Sequence, residues 1–494
     1  LGAVHSVVFG GFASAELAAR IDDAQPRVII TASCGIEAGR VVAYKPLVDE
    51  ARDLADHRVH ACLVLQRPQL TAGMGEDDVE WRQAMSAAAP VAPVVVAATD
   101  PLYILYTSGT TGKPKGIVRD NGGHAVAMAW SMPHIFGMGP EDVWWAASDV
   151  GWVVGHSYIV YAPLITGCAT VMFEGKPVGT PDAGAFWRVI GQHGVKGLFT
   201  APTAIRAIKK EDPEGHRLAD SDLSSLRALF LAGERLDPDT YTWATQHVGV
   251  PVIDNWWQTE TGWPIAARLH GDDPPPLKPG SPSQPVPGYD VRILDEHGVE
   301  VPVGTEGNIA IRLPLPPGAL PTLWRDDARY VESYLSAFPG FYATGDGGHI
   351  DSDGYVYVMG RTDDVINVAG HRLTTGSLEA AVATHPDVAE CAVIGVQDEI
   401  KGQVPRAFVV LSSGATTSPE VIEAEVIDLV RHMVGPVAAL RDVRVVPGLP
   451  KTRSGKILRR SMRAIAEGRD EPVPSTIEDP RVLEDLAPLL RTDP

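Results

Sequence analysis

Short β-branched and aliphatic runs alternate with amphipathic stretches along the first third of the chain, and this alternation narrows the possible folds more than any other feature. Arg27 to Thr31 and His60 to Leu65 read as buried strands, and Leu102 to Tyr106 as another. Ala15 to Ala24 reads as an amphipathic helix, with Ser14 placed to cap its N-terminus. Strands separated by helices imply an α/β architecture with largely parallel strands. At 494 residues the chain is too long for one ordinary core, so at least two domains are expected. Proline and glycine gather at 271–288 and 313–321, which read as loops.

After residue 361 the texture changes. A strand (Val365 to Val368), a helix (Ser377 to Thr384), two strands (Ala389 to Val396 and Arg406 to Leu411), a long helix (Pro419 to Met433) and a last strand (Val443 to Val446) make a compact α+β unit. The expected division is a large N-terminal domain over 1–362, a smaller C-terminal domain over 363–467 and a loose, acidic, proline-containing tail over 468–494. The chain opens on Leu1 inside an apolar stretch, which reads as a fragment whose large domain is incomplete at its start.

The charge balance, 42 basic against 62 acidic residues for a net −20, argues against non-specific nucleic-acid binding, although a local cluster of donors can still hold a phosphate. Cys34, Cys62, Cys168 and Cys391 lack the spacing of a metal site or disulfide framework and read as free thiols in a reducing cytoplasm. No apolar run is long enough to span a bilayer and no signal peptide is evident, so no membrane partner is expected.

Thr107-Ser-Gly-Thr-Thr-Gly-Lys-Pro-Lys-Gly116 follows the strand ending at Tyr106. Three glycines let backbone N–H groups approach a polyphosphate, four hydroxyls add donors, and two lysines neutralise it. It is not a Walker A loop, which would need glycine at Thr107 and Ser or Thr at Pro114. The ligand-binding positions are therefore Thr107, Ser108, Gly109, Thr110, Thr111, Gly112 and Lys113.

This loop resembles the signature of the adenylate-forming superfamily. Four further matches follow in the family's order: Trp256-Trp-Gln-Thr-Glu-Thr-Gly262, Tyr342-Ala-Thr-Gly-Asp346, Gly360-Arg-Thr-Asp-Asp-Val-Ile-Asn367 and Pro450-Lys-Thr-Arg-Ser-Gly-Lys-Ile457. The resemblance covers the whole chain. It is closest to the acetyl-CoA and propionyl-CoA synthetase branch, through Val7-Val-Phe-Gly-Gly-Phe12, Gly151-Trp-Val-Val-Gly-His-Ser157 and the tryptophan pair before Gln258.

The resemblance implies a short-chain acyl-CoA synthetase, an acid–thiol ligase that activates propionate or acetate with ATP to acyl-AMP and pyrophosphate and then forms acyl-CoA and AMP. Its ligands would be ATP, Mg²⁺, coenzyme A and a small carboxylic acid. By resemblance, Thr259 and Glu260 lie at the α-phosphate, with Glu260 helping to hold Mg²⁺. Lys456 resembles the family's catalytic lysine. Asp346 resembles the carboxylate that accepts from the ribose hydroxyls, Arg361 resembles a phosphate- or ribose-contacting arginine, Arg372 looks like a second phosphate contact, and Gly233 and Glu234 match the segment beside the adenine. Asp363 resembles the family's hinge, about which a mobile small domain would turn between half-reactions, and Gly370 would let the pantetheine arm pass. Phe9, Gly10, Gly11, Arg40 and Arg431 are implied for coenzyme A. Here the chain departs from the pattern: Glu37 stands where the family often has an arginine, and an acid beside a phosphate weakens binding.

Val153, Val154, Ala232 and Trp257 are expected to wall the acyl group, with the indole capping a short chain. Ala232 replaces a larger aliphatic residue of acetate-preferring relatives. Each extra buried methylene is worth about 1–3 kcal/mol in discrimination, so propionate is expected over acetate. His156 and Ser157 lack a nucleophile elbow and read as structural; Trp144, Trp145 and Trp152 read as core or pocket wall. Relatives in this branch carry on the order of a hundred further residues before Leu1, the size of a sizeable part of a domain. Two other readings stand beside the synthetase: an adenylation module that loads a carrier protein, and a truncated, inactive nucleotide-binding homologue. A cytoplasmic monomer or weak homo-oligomer is expected.

Overall fold

The computed structural model describes the chain except residues 11, 38, 108–113, 235, 237, 369–370, 399–400, 413, 453–454, 470–472, 475–476 and 492–494, and except the side chains of 238, 363, 365, 367, 371 and 372. A seven-stranded sheet runs in the order Gln284–Pro285, Ala266–Ala267, Val252–Trp256, Ala228–Ala232, Gly197–Thr200, Val143–Ala146, Ala169–Thr170. Its last five strands pair in parallel, and the first two are antiparallel additions. Neighbouring residues point to opposite faces, as strand geometry requires. Trp144, Phe199 and Phe230 fill one core while Trp145, Leu198 and Leu229 fill the other. Covered on both faces, Ala228–Ala232 is apolar throughout.

Two smaller β units flank this sheet. Pro101–Thr107 and Lys115–Asp120 pair as antiparallel strands, with Thr107 opposite Lys115. Asp290–Leu294, Gly307–Arg312, Phe341–Ile350 and Val356–Arg361 form a four-stranded antiparallel sheet in which Asp346 faces Arg361. The molecule is thus α/β, with more antiparallel pairing than the strand–helix alternation predicts.

Near the start, Val28–Ala32, Ala61–Leu65 and Asp78–Glu80 make a parallel sheet under the helices Ser14–Ala24 and Lys45–Leu54. Val28 and Ile30 are 45% and 65% exposed, so the first strand is not buried as expected; those helices cover only one of its faces. Ser14 does not cap its helix. Ala13 holds the cap position, and Ser14 donates instead to Glu50 at 2.7 Å.

From Val365 onward a second sheet runs His371–Thr374, Val365–Val368, Gly402–Leu411, Val388–Asp398, with Asp442–Val445 parallel to Gly402–Leu411. Helices Thr375–Val382 and Pro419–Met433 pack on one face, and Arg459–Ala466 and Pro480–Arg491 on the other. The last helix corrects the expectation of a loose tail. Leu483, Leu486 and Leu490, spaced as one helix face, are buried against it. Among the described residues no helix is long and apolar enough to cross a membrane, and all four cysteines are free.

Candidate active site

In open parallel sheets, ligands bind beyond the carboxyl ends of the strands. Here Gly233 and Glu234 follow Ala228–Ala232, and Trp257, Gln258 and Thr259 follow Val252–Trp256, so one end of the sheet presents both segments to a cavity of about 500 Å³. Val153 and Val154, Asp346 and Arg361 line it from the large part, and Gly455 and Lys456 from the small one.

Asp346 is 7% exposed, and burial raises its pKa above the ordinary aspartate value. Its Oδ2 accepts from Gln258 Nε2 at 2.7 Å and Trp256 Nε1 at 3.1 Å, while Arg361 lies 3.5 Å from Oδ1. Gln258 also donates to the Thr344 carbonyl at 2.7 Å and accepts from the Tyr342 hydroxyl at 3.0 Å. The carboxylate is therefore held rigidly with Oδ1 less occupied than Oδ2, an arrangement suited to receiving hydroxyl donors.

Thr259 lines the cavity; Glu260 stands just outside the lining. Glu260 Oε1 accepts from the Tyr334 hydroxyl at 2.7 Å, and the Lys115 ammonium lies 4.6 Å from the centre of the Tyr334 ring. Burial lowers the Lys115 pKa, which the negative charge of Glu260 partly offsets. Among the described residues no three metal-ligating side chains converge, so a cation held at Glu260 would draw most of its ligands from phosphate and water. That donor set suits Mg²⁺.

Lys456 is exposed at its side chain and fixed at its backbone: its N–H donates to Thr452 Oγ1 at 3.1 Å, and its carbonyl accepts from the Thr452 N–H at 2.8 Å. Its charge lowers the Asp346 pKa, against the larger rise that burial causes. The preceding Gly455 has φ +86°, and a Cβ there would sit 2.5 Å from Thr203 Cγ2, so backbone conformation and close approach both demand glycine. Thr203, in the helix Pro202–Glu211, also bonds Glu234, whose carboxylate pairs with Arg206 at 2.6 Å.

At the apolar end, the Trp257 indole is 8% exposed, stacked on Phe199 with centroids 6.2 Å apart and edge-on to Tyr158 at 5.4 Å. Ala232 does not line the cavity with the other three wall positions. It is 4% exposed in the core that also contains Trp257, one residue before Gly233 turns into the cavity.

The AMP-binding enzyme family matches residues 1–316, and its C-terminal domain matches 377–456. The chain belongs to the AMP-binding enzyme family. The mouse mitochondrial acyl-CoA synthetase short-chain family member 3 is 49% identical over 99% of this chain and 72% of its own length. The propionate–CoA ligase of Escherichia coli K12 is 47% identical over 98% of the chain and 78% of its own. Acetoacetyl-CoA synthetase from Streptomyces lividans shares the fold with a TM-score of 0.83 at 24% identity, over 97% of this chain and 73% of that one.

As an AMP-binding enzyme, the chain keeps several expected residues away from the cavity. Phe9 packs against Trp152 and Phe12 at centroid distances of 5.4 and 6.1 Å, and Gly10 lies against the Tyr44 hydroxyl. Arg40 is 76% exposed and reaches Glu37 at 3.3 Å. Arg431 lies in the last turn of Pro419–Met433. Thr107 is the last described residue before 108–113, and its buried Oγ1 has no hydrogen-bond partner among the described residues. Ser108 to Lys113, Gly11, Gly370 and the side chains of Asp363 and Arg372 lie outside the described residues; the backbone at Asp363 is one turn of 3-10 helix, Thr362–Asp364. Ser157 donates to the Gly262 carbonyl at 2.6 Å, and His156 Nδ1 lies 3.0 Å from the Trp152 carbonyl, both buried. Sequence reading gave no role to Gln258, Trp256, Tyr334 or Arg206. The first two stand in the quoted motif, and strand alternation could have marked Trp256 as facing Asp346.

Proposed function

We propose that this protein is a short-chain acyl-CoA synthetase that joins a small carboxylic acid to coenzyme A at the expense of ATP, through an acyl-AMP. The observation that carries this reading is the presence of Lys456, Thr259, Asp346 and Trp257 around one cavity, with a cation, hydroxyl donors, a buried carboxylate and an apolar end in that order. Two anions must meet for acid and ATP to react. Lys456 would screen both, Thr259 would donate to the α-phosphate, and Asp346 would fix the ribose. Mg²⁺, held at Glu260 and the phosphate oxygens, would supply charge neutralisation. Thr107 to Lys113 would cradle the outer phosphates. The rigid indole of Trp257 supports an acid of two or three carbons, and we favour propionate. In the second half-reaction the part beyond Asp363 would turn, exchanging Lys456 for the segment around Gly370 and Arg372, with Phe9, Gly10, Gly11, Arg40 and Arg431 receiving coenzyme A. We place the enzyme in the cytoplasm, as a monomer or weak homo-oligomer.

The test is a panel of C2 to C6 acids with ATP, Mg²⁺ and coenzyme A, scored for acyl-CoA and AMP. Product greatest with C3 is the expected result. Acid-dependent pyrophosphate release that never requires coenzyme A would point to a different acceptor, and no release with any acid would refute the reading.

A further inference from the structure

Arg119 is 0% exposed, and among the described residues no carboxylate pairs with it. Burying an unpaired charge is costly, so a chain that keeps one needs a strong set of compensating dipoles. They are identifiable. One guanidinium nitrogen donates to the Glu260 carbonyl at 2.9 Å and the Gly318 carbonyl at 2.5 Å, the other to the Thr259 carbonyl at 2.5 Å, and Nε donates to the Tyr103 hydroxyl at 3.2 Å. Around it His124 and His156 stay uncharged, because burial drives their pKa values to about 2 and about 4. Space for the guanidinium is reserved: Gly262 has φ +77°, and a Cβ there would lie 2.7 Å from Arg119 Cζ.

The position of Arg119 gives this clamp a purpose. It lies on Lys115–Asp120, the strand that pairs with Pro101–Thr107. At the near end of that strand Lys115 lies over Tyr334, whose hydroxyl holds the Glu260 carboxylate; at the far end Arg119 holds the Glu260 and Thr259 carbonyls. The Leu320 N–H donates to the same Glu260 carbonyl at 2.8 Å. That strand therefore grips the Thr259–Glu260 turn at side chain and backbone together.

We infer that Arg119 is a positioning residue for the adenylation half-reaction, setting the Thr259 hydroxyl and Glu260 carboxylate in register with the strand that follows the phosphate loop. The inference rests on the reading of Thr259 and Glu260 as α-phosphate and Mg²⁺ contacts. A guanidinium spanning three carbonyls has no equivalent in lysine, which keeps the charge but has a single nitrogen with which to reach them.

The experiment uses the full chain with Arg119→Gln and Arg119→Lys. It measures propionate-dependent ATP–pyrophosphate exchange across a Mg²⁺ titration, thioester formation from supplied propionyl-AMP and coenzyme A, and the melting temperature. Arg119→Gln should lower the exchange rate about 100-fold, as loss of a preorganised contact does, and raise the Mg²⁺ needed for half-maximal rate several-fold. Thioester formation should fall less than about threefold, because it does not use the Mg²⁺ site. Arg119→Lys should recover about tenfold of the lost exchange and part of the Mg²⁺ shift. Equal losses in both half-reactions with an unmoved Mg²⁺ curve, or failure of both variants to fold, would assign Arg119 to the core and overturn the inference. Normal exchange in folded Arg119→Gln would overturn it as well. Absence of exchange in the unaltered protein would instead count against the synthetase reading itself.

Discussion

Lys456 contributes its charge to the cavity and no packing: its side chain is exposed, and the loop is held by its own backbone bonds to Thr452. Replacing it with alanine should leave the melting temperature unchanged while lowering acyl-AMP formation about 100-fold or more, as loss of a preorganised cation does. Thioester formation from supplied acyl-AMP should be largely spared, and comparable losses in the two assays would rule the role out. Glu37 offers an opposite case, a side chain whose removal should improve a step. It holds the mostly exposed Arg40 at 3.3 Å. Exposed pairs are worth about 0–1 kcal/mol, so Glu37→Gln should free Arg40 and lower the KM for coenzyme A by at most about fivefold. The gain should shrink as salt is raised; a KM that does not move would show that Arg40 does not meet the coenzyme. These two residues also show what the sequence made legible. A motif locates Lys456 because the chemistry needs that side chain. The Glu37–Arg40 pair was not foreseen, since the sequence set Glu37 against a phosphate of the coenzyme and not against Arg40 itself.

Among the elements, the helix Pro480–Arg491 was missed because its prolines and acids dominate the composition of the last segment, although Leu483, Leu486 and Leu490 spell out a buried face. Leu486 is 1% exposed against the sheet that contains Ala392 and Phe408. Leu486→Ala should destabilise the protein by about 2–5 kcal/mol, read as a lower midpoint in urea unfolding. The long helix Pro419–Met433 was readable from its period and its proline at the first turn, and it forms with those bounds. The strand His371–Thr374 was not, being four residues whose pairing with Val365–Val368 is decided by tertiary context. Between the strand Val356–Arg361 and Val365–Val368 the single turn Thr362–Asp364 carries the proposed pivot. Proline at Asp363 would fix φ and resist rotation. Acyl-AMP should then accumulate without acyl-CoA, as chromatography of a single-turnover reaction can show; normal turnover would place the pivot elsewhere.

For the molecule as a whole, the buried histidines set its response to acid. His124 and His156 are 1% and 2% exposed, and burial lowers their pKa values to about 2 and about 4. The unfolded chain, near 6.5, takes up protons first, so their contribution is fully present above about pH 6.5 and is lost as pH falls toward the folded values. At pH 5 each should cost about 2 kcal/mol relative to pH 7, and His124→Phe should remove a matching part of that slope. Urea unfolding at the two pH values measures it, and stability that is flat between them would contradict the burial. The cavity belongs to this scale too, because it is lined by both parts of the chain, with Gly455 pressed against Thr203. A ligand that fills such a seam acts as a non-covalent cross-link. Its apparent affinity is its intrinsic affinity multiplied by the fraction of molecules already closed. Any substitution that loosens the seam, however far from the nucleotide, should therefore weaken adenylate binding by the same factor by which it depopulates the closed form, and a bound adenylate should oppose that opening by the same free energy.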